Sequence, residues 1–458
     1  MRVQVFKSWD RLRSSFWFLP AVMAAGSVIL SFVSVALDKK LTDWLLDNWG
    51  WTFTGGAEGA SSVLGTIAGS MITLAGVVFS MTLVALSLAS SQLGPRLLRN
   101  FMRDTSTQVV LGTFVSTFLY CLLVLRTIRR AEEIAFVPHL SVTLGVLFAV
   151  VSVGVLIYFI HHVSVSIQAN EIVARVGTEL IEGLDRMFPE KSEEGVPQLP
   201  GKSPDDAFLA AFEREARPVC STGDGYVKFV DQEILMALAI QEDLVFRVER
   251  RPGHYVVAGC PLVMVWPRGR DIDQIRDQVN SAFALGNQRT ASQDIEFTVN
   301  QLVEVAVRAL SPGLNDPFTA ITCVDHLGAA LCRLATRELP SPYHHDEQDQ
   351  LRVIAHPATF PTITDAAFNQ IRQYGHSSAA VLIRLLEMMA VIAGFADREE
   401  DRATLLRHAE MIVQAARDGL PEAGDRQTVE ERYQAAIKLC SNRLGERCKT
   451  SKKRSGFN

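Results

Sequence analysis

"SSVLGTIAGSMITLAGVVFSMTLVALSLASSQLGP", Ser61–Pro95, decides how this chain is read. With Gly59 and Ala60 before it, it makes 37 residues without a charge or a histidine. A bilayer core about 30 Å thick takes about 20 apolar helical residues. As a single helix, a segment of 37 residues rises about 55 Å. It must tilt, bend or project beyond the membrane.

Three further stretches clear the same length. Ser14–Leu37 has no charge over 24 residues, Thr105–Leu125 none over 21, and Ile134–Ile160 none over 27, with His139 near its start. Four spans follow, at about 14–37, 59–95, 105–125 and 134–160. The first has a basic start (Arg2, Lys7, Arg11, Arg13) like a secretory signal. Its apolar run is longer than the roughly 7–15 residues of a signal core, so it reads as an uncleaved span.

The charge balance divides the chain at the same place. Residues 1–170 carry 12 Lys and Arg against 8 Asp and Glu, and residues 171–458 carry 33 against 42. The acidic back half argues against a nucleic-acid partner, which would need a basic face. Flanking Lys and Arg set orientation. Seven (Arg2, Lys7, Arg11, Arg13, Arg96, Arg99, Arg103) fall on the N-terminal side and five (Lys39, Lys40, Arg126, Arg129, Arg130) on the other. The expectation is a bacterial inner-membrane protein with both termini cytoplasmic. Trp44, Trp49 and Trp51 in the first outer loop belong at the headgroup level.

Within the second span, Thr66, Thr73, Ser80 and Ser87 recur every seven residues, with Gly65, Gly69 and Gly76 interleaved. Two readings stay open. Small residues let helices approach closely, and hydroxyls can line a pore. A ring of copies would satisfy both. No span so defined has an Asp, Glu, Lys or Arg in its interior. Ion-driven carriers usually place such groups there.

The rest reads as a cytoplasmic α+β domain. Residues 171–205 are a helical stalk continuing span four, then a Pro- and Ser-rich linker. Residues 206–270 hold short β-branched runs ("RPVCS", "GYVKFV", "LVFRVER", "HYVV", "PLVMVW"), a small sheet or barrel with one helix near Asp231–Gln241. "GHYVVAGCPLVMVW" resembles lipoyl- or biotinyl-carrying modules but lacks the lysine they modify, so no cofactor is expected. Residues 271–446 read as helical throughout, and residues 447–458 as a basic disordered tail. "AAVLIRLLEMMAVIAGF" contains Arg384 and Glu387 and reads as a buried bundle helix rather than a fifth span. A helix at "TITDAAFNQIRQYG" starts at Thr362. The fold class is mainly α.

"RALSPGLNDPFTA", Arg308–Ala320, interrupts this helical region. A helix over Asp294–Leu310 stops at Ser311-Pro312, because proline disfavours helix before it. Gly313 allows the turn, and Asn315 belongs to the same candidate corner. Asp316 is then the N-cap and Pro317 the first helical residue of the next helix. Arg289 is positioned to pair with Asp294 or Asp316. Glu304, Asp316, Asp325 and His326 lack a diagnostic metal spacing, so no metal is expected. The seven cysteines form no Cys-x-x-Cys pair and read as reduced, buried thiols. No phosphate loop, nucleophile elbow or His-Glu-x-x-His occurs, so no enzyme is expected.

"VVFSMTLVALSLASSQLGPRLLRNF", "QDIEFTVNQLVEVAVRALSPGLNDPFTA" and "AFNQIRQYG" resemble the signature blocks of the bacterial predicted membrane protein family called domain of unknown function 2254. The resemblance implies a multi-pass inner-membrane protein with a cytoplasmic C-terminal domain, and it carries no catalytic residues. The leading expectation is a homo-oligomeric regulated channel in the lipid bilayer. A membrane sensor or scaffold that recruits a partner comes second, and an enzyme acting on a membrane-borne substrate third.

Overall fold

The computed structural model describes residues 17–48, 55–94, 104–128, 136–166, 168–190, 203–267 and 272–454. The chain forms two compact units, Ser8–Glu171 and Ile172–Asn458.

The first unit contains four long apolar helices: α1 (Phe18–Asn48), α2 (Ala57–Leu93), α3 (Thr105–Leu125) and α4 (His139–Ser166). Helix α3 packs against the other three. Its Phe114, Tyr120, Cys121 and Val124 are fully buried. Leu64, Ala68, Met71, Ala75 and Val78 form the inward face of α2, and Val142 and Phe159 that of α4. Outward, Phe32, Val150 and Ile157 are each about two-thirds exposed, a surface made for hydrocarbon. Mean hydropathy over these four spans is 2.0 to 2.6.

One sequence expectation needs correction here. Helix α1 continues to Asn48, so Trp44 lies within a helix rather than in a loop; Trp49 and Trp51 lie outside the described residues. The extension also brings a carboxylate into the bundle. Asp38 is fully buried, and its carboxylate accepts from the Leu140 N–H (2.8 Å), the Ser141 N–H (2.9 Å) and the Ser141 hydroxyl (2.6 Å). Those are orphan donors of the first turn of α4. An acid on α1 thus caps a helix about a hundred residues further along the chain. Tyr120 continues the polar line, donating to the Ser141 carbonyl and meeting the Ser34 hydroxyl.

In the second unit, α5 (Ala169–Met187) is separate from α4, which stops at Ser166, so the continuous stalk is two helices. Residues 191–202 of the linker lie outside the described residues. After α6 (Asp206–Glu215) come β1 (Arg217–Cys220), β2 (Gly225–Val230), α7 (Gln232–Gln241), β3 (Val245–Val248), β4 (Tyr255–Val256), β5 (Pro261–Trp266), α8 (Ile272–Ser281) and β6 (Phe283–Gly286). Then follow α9 (Ile295–Ala309), α10 (Pro317–Ala335), β7 (Tyr343–His345), β8 (Leu351–Ala355), α11 (Phe360–Tyr374), α12 (Ala379–Phe395), α13 (Glu399–Gly419) and α14 (Ala423–Arg454).

The strands form two sheets, β1-β5-β3-β8-β7 and β4-β2-β6. Pairing is antiparallel except β3 with β8, where Phe246 faces Val353. The region read as helical from residue 271 therefore supplies three strands. In β8, Arg352, Val353 and Ile354 are all buried, so the alternation that marks a half-exposed strand is absent. Arg352 is held in place by Asp346 (2.7 Å) and Asp243 (2.8 Å).

The helical part packs α9 to α14 against one another. Helix α10 also has the length and composition to cross a membrane, at mean hydropathy 1.2. More than half of it is buried within the unit. It carries Asp325, paired with Arg384 of α12 at 2.6 Å. It is a core helix, as is α12. Helix α11 begins two residues before the expected Thr362: Thr359 is the N-cap, in a capping box with Thr362. Helix α14 runs to Arg454, into the tail expected to be disordered.

Candidate functional site

In the first unit the notable feature is the outer face of α2. Gly65, Thr66, Gly69, Thr73, Gly76, Ser80 and Ser87 are all exposed within the single chain, while Ala68, Met71, Ala75 and Val78 face inward. A Cβ placed on Gly65, Gly69 or Gly76 would meet nothing within 4 Å. The Thr66 hydroxyl donates to the Ser62 carbonyl (2.8 Å) and the Thr73 hydroxyl to the Gly69 carbonyl (2.9 Å). These two donors are satisfied by their own helix, and the three glycines leave the face open.

The Arg308–Ala320 corner follows from helix chemistry. Helix α9 ends at Ala309 with Leu310 as C-cap. Asp316 caps α10, accepting from the Thr319 hydroxyl and N–H (3.1 Å for the latter), and Pro317 opens it. The Thr319 hydroxyl, and then the backbone N–H bonds, hold the Asp316 carboxyl below the usual range. The Ser311 carbonyl accepts from Asn315 N–H at 2.9 Å, across Pro312. The left-handed residue is Asn315, at φ 47°, and Gly313 is not in that region. Asparagine tolerates that conformation through local hydrogen bonding.

Arg289 pairs with Asp294, not Asp316. Its Nε and Nη2 reach the two carboxylate oxygens at 2.7 and 2.9 Å. Asp294 also caps α9 by accepting from the Phe297 N–H at 3.1 Å. The loop passing this carboxylate needs a glycine: Gly253 has φ +94°, and a Cβ there would lie 2.4 Å from Asp294 Oδ2.

Asp294 forms part of the wall of a cavity of about 600 Å³. The cavity is bounded by the end of α5, the β2–α7 junction, the loop after β3, the start of α9, β7, and the segment from β8 to α11. Phe188, Phe229, Val248 and Ile295 give it apolar walls. Gln293 ties two sides together: its Oε1 accepts from the Val230 N–H at 2.9 Å and its Nε2 donates to the Val230 carbonyl at 3.3 Å. Arg251 pairs with Glu296 at 2.6 Å and donates through Nε to His254 Nε2 at 3.3 Å. Burial, then the charges of Arg251 and Arg250, hold His254 below the ordinary imidazole range. Burial, then His345, does the same to His344, which also lines the cavity. Asp231 caps α7, accepting from the Ile234 N–H at 3.3 Å.

Among the described residues, no group of three or more His, Cys, Asp or Glu is arranged to hold a metal ion. Glu304 meets Arg308 (3.5 Å), Asp325 meets Arg384, and His326 packs over Gly177. Cys121, Cys220, Cys260, Cys323, Cys332 and Cys440 are free thiols.

Comparison with known proteins agrees with this architecture. The sequence profile of the predicted membrane protein family DUF2254 matches residues 13–391. The chain belongs to that family. Uncharacterized proteins of Mycobacterium bovis and Mycobacterium tuberculosis are each 33% identical over 433 residues, covering 92% of this chain and 80% of theirs. No solved structure matches. The DUF2254 match runs from the first span through most of α12, so it covers the α2 face, the Arg308–Ala320 corner and every wall of the cavity. The cavity was not visible in the sequence, because its walls come from six separated segments.

Proposed function

We propose that this DUF2254 protein is a non-enzymatic homo-oligomer in which copies of α2 meet around an axis and form a regulated channel. The observation that carries the reading is the exposure of all seven small and hydroxyl residues on one face of α2. Lipid tails gain nothing special from glycines, whereas a neighbouring helix gains close van der Waals contact. The bilayer is the inner membrane, with both termini cytoplasmic on the Lys and Arg bias of the flanks. The second unit then assembles or gates the ring. The test is planar-bilayer recording of the purified, reconstituted full-length protein under voltage and tension. The reading expects discrete currents that Gly69→Leu and Thr73→Leu reduce. A stable, monodisperse oligomer that passes no current would defeat it.

A sensor or scaffold is the second reading, favoured by the cavity in the second unit. Crosslinking in cells separates the two. A stable heterologous partner on the second unit, with no current, supports the sensor.

A further inference from the structure

The cavity wall has a charge imbalance once its internal pairs are removed. Asp294 is matched by Arg289 through two hydrogen bonds and Glu296 by Arg251. Arg186 and Glu233 are at the wall but exposed, so water screens both. Asp231 is different. It is only 4% exposed, and its side chain makes one long hydrogen bond to a backbone N–H. Among the described residues no Lys, Arg or His pairs with it. A carboxylate taken out of water without a counter-cation is costly, and Asp231 is part of the cavity wall.

The rest of the wall fixes what kind of cation fits. Phe188 and Phe229 stand on it with Val248 and Ile295, surfaces that a strongly hydrated inorganic ion would not use. Pockets of this type, mostly apolar with a few placed polar groups, hold small organic molecules. The volume of about 600 Å³ lies within the usual range for such sites. We propose that the cavity binds an organic monoamine with an apolar or aromatic body, its ammonium group paired with Asp231 and its body against Phe188 and Phe229. This site stands whether or not α2 lines a channel.

The test uses four ligands with one ring system and different charges: tryptamine, tryptophan, tryptophol and indole-3-acetate. Each is titrated by calorimetry into the detergent-purified full-length protein. The proposal expects saturable binding of tryptamine, weaker binding of neutral tryptophol, and none of indole-3-acetate. Asp231→Asn keeps the N-cap, since Asn caps as well as Asp, but removes the charge. It should weaken tryptamine binding at least about tenfold with the melting temperature unchanged. Lys438→Gln, exposed on α14 and away from the cavity, should leave tryptamine binding as it is. Absence of saturable tryptamine binding would overturn the proposal. So would indole-3-acetate or tryptophan binding more tightly than tryptamine, or Asp231→Asn binding tryptamine as the parent does.

Discussion

Replacing Arg289 by alanine should destabilise the second unit through Asp294 rather than through lost surface charge. The Asp294 side chain is 4% exposed and that of Arg289 24%. Removing one member of a buried ion pair costs about 3–5 kcal/mol, because the other charge is left desolvated. Two features lower that figure here. Water reaches part of the Arg289 site, and Asp294 keeps its bond from the Phe297 N–H. The expected loss is then about 2–3 kcal/mol. For a unit of this size that lowers the melting temperature by about 4–8 °C. Asp294→Asn retains an N-cap and removes the stranded charge, so the double substitution Arg289→Ala with Asp294→Asn should recover about 1–2 kcal/mol relative to additivity. Arg289→Lys should fall between, since an ammonium cannot span both carboxylate oxygens. Thermal unfolding of the full-length protein in detergent, followed over this double-mutant cycle, is the assay. An Arg289→Ala variant that melts within about 1 °C of the parent, or a cycle with no coupling, would refute the reasoning.

Other outcomes follow from particular contacts. Asp38→Ala and Asp38→Asn should each cost about 1–2 kcal/mol of stability by uncapping α4, since both carboxylate oxygens accept N–H bonds and an amide offers only one acceptor; melting temperatures of the two variants check this. Gly253→Ala combines a φ of +94° with a Cβ 2.4 Å from Asp294 and should cost at least about 1–3 kcal/mol, seen in the same measurement. His408 has a fully buried side chain, with Nε2 2.8 Å from Asp365. Burial pushes its imidazole below the ordinary range, outweighing the pull of Asp365. The unfolded chain takes up that proton near pH 6.5 and the folded chain only lower. Stability should therefore fall as pH drops from about 6.5 toward the depressed folded value, by at most about 1.4 kcal/mol per pH unit. Melting curves at stepped pH should show His408→Gln flattening that slope.

The spans were legible because a bilayer demands long uncharged runs, and nothing else in the chain supplies them at that hydropathy. Their ends were not. Helix α1 runs past Leu37 into charged sequence, and the role of Asp38 depends on amides 102 and 103 positions away. The corner was readable from local chemistry: Asp316 as cap and Pro317 as first residue are one-turn effects. Gly313 accounts for the turn on sequence, and the left-handed residue in it is Asn315. Strands β6 to β8 escaped because they are short and their pairing is long-range, β8 lying beside β3. On sequence Arg289 has two possible partners, and the structure pairs it with Asp294 at 2.7 and 2.9 Å. The cavity had no sequence signature at all. Asp231 looks like any N-cap until Arg251 and Arg289 are seen to be committed elsewhere.

The central claim is that the small-residue face of α2 is a contact between copies. Single cysteines at Thr73, on that face, and at Val151, on the exposed face of α4, provide the direct measurement when oxidised in native membranes. The account predicts covalent dimers through position 73 and none through 151, with a particle mass in detergent that is a multiple of the chain's 50.5 kDa. A monomeric mass with no crosslink at 73, or crosslinking through 151 alone, would contradict it.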